Sequence, residues 1–136
     1  MQIVDEAVDL TLPMNDPTSL LDALHEAVQR FLDRLRMPPA DEWRMLFELA
    51  VSEIAANIVE HVRPSTIRFR VAAQPSRVVA EFTDSGRGWL RQPRPAAEID
   101  QLPERGRGLS LAWKAVDEVA YERMGKANRW RLMKVL

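Results

Sequence analysis

Between Val62 and Ile67 the apolar periodicity of this chain changes from helical to alternating, and that change constrains the fold more than any other feature. From Leu20 to Val62 apolar residues recur at helical spacing, whereas from Ile67 to Phe82 they alternate with polar ones at a period of two. A chain that passes from one period to the other has to join a helical layer to a sheet. Prolines mark the boundaries. Asp16 before Pro17 is a helix start, and Leu20, Leu21, Leu24, Val28, Phe31, Leu32 and Leu35 continue the pattern until Pro38-Pro39. Asp41 restarts it, and the second helix is predicted to run to about Val62, where Arg63-Pro64 stops it.

The remaining elements follow from the period of two. Val8, Leu10 and Leu12 predict a strand from Ala7 to Leu12 that ends at Pro13. Ile67, Phe69 and Val71 alternate with Arg68 and Arg70, Gln74-Pro75-Ser76 makes a turn, and Val78, Ala80 and Phe82 resume the alternation, which predicts a hairpin. The stretch from Trp89 to Arg105 holds Pro93, Pro95 and Pro103 and reads as a loop or lid, with one short helical run at Ala96 to Asp100. Leu109 to Val116 reads as a helix, Val119 and Tyr121 as a strand, Gly125 as a turn, and Asn128 to Val135 as a last strand. The predicted class is α+β: a two-layer α/β sandwich whose mixed, mostly antiparallel sheet carries helices on one face. Residues 1–136 are expected to form a single domain, a length that buries a sizeable core without metal or disulfide staples.

Several function classes drop out. The sequence has no cysteine, which excludes disulfides, thiolate zinc sites and thiol catalysis, and two histidines are too few for a histidine-rich metal site. A net charge of -1 gives no general attraction to nucleic acid or to an anionic membrane, although arginine is dense between Arg87 and Arg107. No run approaches a membrane span, and Met1 to Leu12 carries Asp5, Glu6 and Asp9 rather than a basic start and an apolar run, so the expectation is a cytoplasmic protein.

Three short clusters hold the candidate chemistry. In the second helix a projection at about 100° per residue places Leu46, Phe47, Ala50, Val51, Ile54, Ile58 and Val62 on one apolar arc, with Glu48, Ser52 and Glu60 facing away. Asn57 and His61 fall inside that arc and Glu53 at its edge. An asparagine carbonyl suits Mg²⁺, and a carboxylate one turn away can take a proton from a hydroxyl. The plain alternative is a solvated Glu53 and a core Asn57 bonded to backbone, with His61 a hydrogen-bonded structural residue.

Asp84 is in phase with Val78, Ala80 and Phe82, so its carboxylate is predicted to point inward at the strand end and to need donors. The exocyclic amine of adenine is such a donor. Gly86 and Gly88 remove Cβ atoms that would hold the backbone away from a flat ring, although Asp-Ser-Gly also reads as an ordinary turn. Gly106 and Gly108 open the third helix, where free backbone amides and the helix dipole favour a phosphate, and Arg105 and Arg107 flank them. There is no Gly-Lys-Ser/Thr phosphate loop.

In their order these clusters resemble the GHKL ATPases, the superfamily of gyrase, heat-shock chaperone, histidine kinase and mismatch-repair ATP-binding domains. The likeness is greatest to the anti-sigma-factor serine/threonine kinases. Leu49 to His61 resembles the N box, Phe82 to Gly88 the G1 box and Arg105 to Leu111 the G2 box, and the likeness spans Val8 to Val135. It implies a Bergerat-fold domain that binds ATP with Mg²⁺. By residue it implies Asn57 as metal ligand, Glu53 as general base, Asp84 as adenine acceptor, Gly86 and Gly88 beside the base, and Gly106, Arg107, Gly108 and Leu109 on the phosphates.

The resemblance further implies a homodimer that binds a sigma factor and phosphorylates a STAS-domain anti-anti-sigma protein, with no direct contact to nucleic acid or membrane. A nucleotide-binding module that sequesters a protein partner without catalysis is the alternative. A histidine kinase fragment, suggested by His25-Glu26 on the first helix, lacks a partner helix for a dimerisation bundle.

Overall fold

Asp16 starts the first helix by the capping chemistry its sequence position suggests. Its carboxylate accepts the backbone N–H of Ser19 at 3.0 Å and also the Ser19 hydroxyl, while Pro17 sits where no N–H is needed. In this computed structural model residues 4–11, 16–62, 64, 66–86 and 108–136 are described. Their elements run β1 (Val4–Thr11), α1 (Pro17–Asp33), α2 (Asp41–Asn57), a π-helical turn (Ile58–Val62), β2 (Thr66–Gln74), β3 (Arg77–Asp84), α3 (Gly108–Ala115), β4 (Glu118–Met124) and β5 (Ala127–Val135).

The strands form one sheet in the order β1-β2-β3-β5-β4, and each neighbouring pair is antiparallel. Because β3 and β4 both run antiparallel to β5, they point the same way with β5 between them. The connection through α3 is therefore a crossover. Both hairpins turn in two residues, Pro75-Ser76 and Gly125-Lys126, and Gly125 adopts φ 60°, a conformation that needs no Cβ.

Register aligns the inner face in rows. Val8, Phe69, Phe82, Trp130 and Tyr121 make one row across all five strands, and Leu10, Ile67, Asp84, Asn128 and Arg123 make the next. Phe69 packs on Phe82 and Tyr121 on Trp130, each pair with ring centroids 4.9 Å apart. Leu24, Val28, Phe31 and Leu32 of α1 and Phe47, Ala50, Val51 and Ile54 of α2 complete the core. Each large side chain buried there contributes about 1.5–3 kcal/mol. The opposite face is solvated and charged, with Arg70 paired to Asp5, Arg129 to Glu122 and Arg131 to Glu81. Among the described residues no helix is long and apolar enough to cross a membrane.

Two boundaries depart from the sequence expectation. The first strand runs Val4–Thr11 rather than Ala7 to Leu12, because it pairs with β2 back to Val4↔Ala73. The charged residues that obscured this are accommodated: Asp5 pairs with Arg70, and Glu6 lies 3.5 Å from the Arg34 guanidinium at the end of α1. The second helix is α-helical only to Asn57 and then widens into the π turn, so a uniform 100° projection stops applying at Ile58. The predicted lid, including the short run at Ala96 to Asp100, lies outside the described residues.

Candidate functional site

The sequence clusters fall on the last turn of α2, the end of β3 and the first turn of α3; α3 packs on α2, and the end of β3 meets the π turn that follows α2. Glu53 and Asn57 stand one turn apart on α2, and both are half-buried. The Asn57 amide nitrogen donates to the backbone carbonyl of Glu53 at 2.7 Å. This is the backbone bond of the plain reading, and it has a chemical consequence. With its nitrogen engaged, the group that Asn57 offers a ligand is its carbonyl oxygen, a hard donor suited to Mg²⁺.

Among the described residues no three His, Cys, Asp or Glu side chains are grouped as a metal cage. A magnesium ion here would be held by Asn57 together with phosphate oxygens, the arrangement this ion commonly adopts with nucleotides.

Asp84 is 4% exposed, in phase with Val78, Ala80 and Phe82 as its sequence position predicts. Its two oxygens are treated differently. Oδ1 accepts the backbone N–H of Gly86 at 2.8 Å and the Asn128 amide at 2.9 Å. Oδ2 is buried and has no hydrogen-bond partner among the described residues. An unsatisfied carboxylate oxygen in a buried setting is costly unless a donor reaches it, and the 6-amino group of adenine has the chemistry to do so.

Gly86 also has a packing role that its sequence position did not suggest. A Cβ on Gly86 would lie 2.3 Å from Cγ1 of Val62 and 3.5 Å from Cβ of Pro64. The glycine lets the end of β3 meet the π turn that follows Asn57, and so brings the first and second clusters together.

Asn128 and Arg123 are site neighbours that sequence reasoning missed. Asn128 is fully buried opposite Asp84 in the β3–β5 register. Besides Asp84, its nitrogen donates to the Gly86 carbonyl at 3.2 Å, and its oxygen accepts from the Tyr121 hydroxyl at 2.5 Å and from Arg123 at 2.9 Å. Arg123 also donates to the Gly86 carbonyl at 2.7 Å. The available signal was phase: Asn128 alternates with Trp130 and Leu132, and Arg123 with Val119 and Tyr121.

Gly108 is the first residue of α3, which packs on α2, and Leu109 follows it in the helix. The expectations for Gly88, Gly106 and Arg107, and for the side chains of Leu109 and His61, lie outside the described residues. His25 faces α2, with Nδ1 3.1 Å from Glu48.

Comparison with known proteins bears on this arrangement. A family model described as a histidine kinase-like ATPase domain matches residues 14–134. A comparison with the curated proteins gave no match. Among solved structures, the RsbU and RsbW domains of a protein from Mycobacterium tuberculosis superpose with a TM-score of 0.64 at 15% identity, over 96% of this chain and 32% of that one. The histidine kinase domain of a blue-light activated histidine kinase from Erythrobacter litoralis gives a TM-score of 0.55 at 15% identity, over 87% of this chain and 60% of that one. The chain thus spans about a third and three-fifths of those two proteins' chains. At such identity the likeness is one of fold.

Proposed function

This chain belongs to the histidine kinase-like ATPase domain family, and on that premise we propose that it is an ATP-dependent protein serine/threonine kinase of the anti-sigma type. The observation behind the reading is the divided carboxylate of Asp84: one oxygen is saturated by Gly86 and Asn128, and the other is buried with no partner among the described residues. That is an acceptor for an amine at the edge of a flat ring. Adenine offers one there, whereas guanine presents an oxygen.

The roles proposed are those that the three sequence clusters imply. Asp84 accepts from adenine, and Gly86 and Gly88 are assigned beside the base. Asn57 would supply a carbonyl oxygen to Mg²⁺, which when bound would neutralise triphosphate charge. Gly106, Arg107, Gly108 and Leu109 supply amides and a guanidinium to the phosphates at the start of α3. Glu53, one turn from Asn57, takes the proton of the partner hydroxyl as that oxygen attacks the γ-phosphorus, and ADP leaves on the opposite side. The bond formed is oxygen to γ-phosphorus, and the bond broken joins that phosphorus to the β–γ bridging oxygen.

The substrate in this reading is a serine or threonine of a STAS-domain antagonist, and the sequestered partner is a sigma factor bound by a cytoplasmic homodimer. The fold likeness to a protein with RsbU and RsbW domains is compatible with this assignment. Incubating the protein with Mg²⁺, γ-labelled ATP and a STAS protein encoded beside it tests the reading. Label is expected on a serine or threonine of the STAS protein. No transfer by the native chain, or undiminished transfer by Glu53→Ala, overturns the mechanism. Nucleotide and partner binding without any phosphorylated product would favour a sequestering module.

A further inference from the structure

We propose that Arg123 is a specificity-positioning residue: its bonds to the buried Asn128 amide and to the Gly86 carbonyl hold the arrangement in which Asp84 presents Oδ2 to a purine. The inference rests on the reading of the Asp84 pocket as an adenine site and extends it to residues at the far edge of the sheet.

Asp84, Asn128 and Arg123 lie side by side in one inner row on β3, β5 and β4. In the observed orientation the polar contacts of the Asn128 amide with the described residues are all matched. Its nitrogen donates to Asp84 Oδ1 at 2.9 Å and to the Gly86 carbonyl at 3.2 Å, and its oxygen accepts from Tyr121 and Arg123. Turning the amide over would set its oxygen against two acceptors, Asp84 Oδ1 and the Gly86 carbonyl.

The far side of the amide reinforces the orientation that Asp84 and the Gly86 carbonyl already require. A tyrosine hydroxyl both donates and accepts, so Tyr121 is compatible with either orientation. A guanidinium only donates, and opposite Arg123 the amide must present its oxygen. Arg123 thus adds a second barrier to the inverted amide, and its other bond, to the Gly86 carbonyl at 2.7 Å, holds the strand end against the same network. Held this way, Asn128 and the Gly86 N–H both occupy Oδ1, which leaves Oδ2 as the aligned acceptor for a 6-amino group.

Arg123 is exposed on edge strand β4, so its replacement spares the core. The readout is the ratio of ATP to GTP affinity, measured by titration calorimetry with Mg²⁺ for the native chain, Arg123→Leu and Arg123→Lys. The two nucleotides carry the same triphosphate, so a change in general electrostatic attraction or in stability cancels in the ratio. Arg123→Leu is expected to lower the native preference for ATP about tenfold, the size of a lost hydrogen-bond discrimination. Arg123→Lys, whose ammonium also only donates, is expected to restore most of it. A native preference for ATP that Arg123→Leu leaves unchanged overturns the positioning role and spares the adenine reading. A native chain that ignores both nucleotides overturns the two together.

Discussion

A methyl group placed on Gly86 would sit 2.3 Å from Cγ1 of Val62, so the end of β3 and the π turn after α2 are in contact that allows no side chain between them. Valine is stiff at χ1 and cannot swing away, and the same methyl would lie 3.0 Å from Asp84 Oδ1. Gly86→Ala is therefore expected to lower folding stability by about 1–3 kcal/mol, the usual cost of overpacking. Val62→Ala in the same chain should recover part of that loss. Denaturant midpoints for the two single variants and the double variant close the cycle, and additive effects would show that the contact does not couple them.

Asp84→Asn keeps the shape of the side chain while it removes one acceptor. The bonds from Gly86 and Asn128 occupy one oxygen, so the substituted amide would turn its nitrogen to the position of Oδ2. A donor then faces the donor of adenine. ATP affinity is expected to fall at least about tenfold, the cost of an unmatched buried hydrogen bond. Calorimetry checks the affinity, and a thermal melt shows whether the variant remains folded.

How far the sequence already spelled out this arrangement depends on the range of the interaction concerned. Asp84 was legible because its phase with Val78, Ala80 and Phe82 is a local property, and the helix start at Asp16 was legible because its cap is made three residues away. Asn128 was not legible as a site neighbour. Its bond to Asp84 spans 44 residues and exists because β5, rather than β4, lies beside β3, an order that alternation alone does not encode. The helical run ends at Val62 as expected, but its widening after Asn57 was not legible: Ile58 and Val62 are buried, as a uniform helix would also have them, and the widening leaves no mark on that apolar pattern.

Gly125 isolates a backbone effect. Its φ is 60°, and nothing lies within 4 Å of where a Cβ would stand, so alanine there meets open space but a disfavoured conformation. Gly125→Ala should cost about 1 kcal/mol and Gly125→Asn less, since asparagine tolerates the left-handed region. Equal unfolding midpoints for the two variants would contradict this.

Asp16 gives a pH dependence whose sign can be worked out. The hydrogen bonds from the Ser19 side chain and backbone hold its carboxyl below the ordinary carboxylate value. A group lowered in the folded state adds stability that is present above the unfolded value of about 3.9 and is lost as pH falls through the folded value. Asp16→Ala is thus expected to destabilise the protein at neutral pH, with the difference from the native chain shrinking as pH drops below about 4. Urea unfolding of both proteins across that range measures it. A difference that grows on acidification would reverse the assignment.

Glu53 and Asn57 share a helical turn, yet the proposed chemistry separates them. Asn57 is expected to act in the ground state, through a metal held with the phosphates, and Glu53 only as the hydroxyl proton moves. Glu53→Gln keeps size and polarity and leaves the backbone carbonyl that accepts from Asn57 in place. It should bind MgATP within about threefold of the native chain, because an interaction made only in the transition state does not enter ground-state affinity. Its phosphoryl transfer should fall about a hundredfold to ten-thousandfold, the range for loss of a general base. Asn57→Ala should weaken MgATP binding and transfer together, and the weakening should be smaller when ATP is titrated without the divalent ion. Parallel calorimetry and single-turnover transfer assays read both quantities. If Glu53→Gln loses affinity as steeply as Asn57→Ala, the carboxylate is acting in binding and a different group must receive the proton.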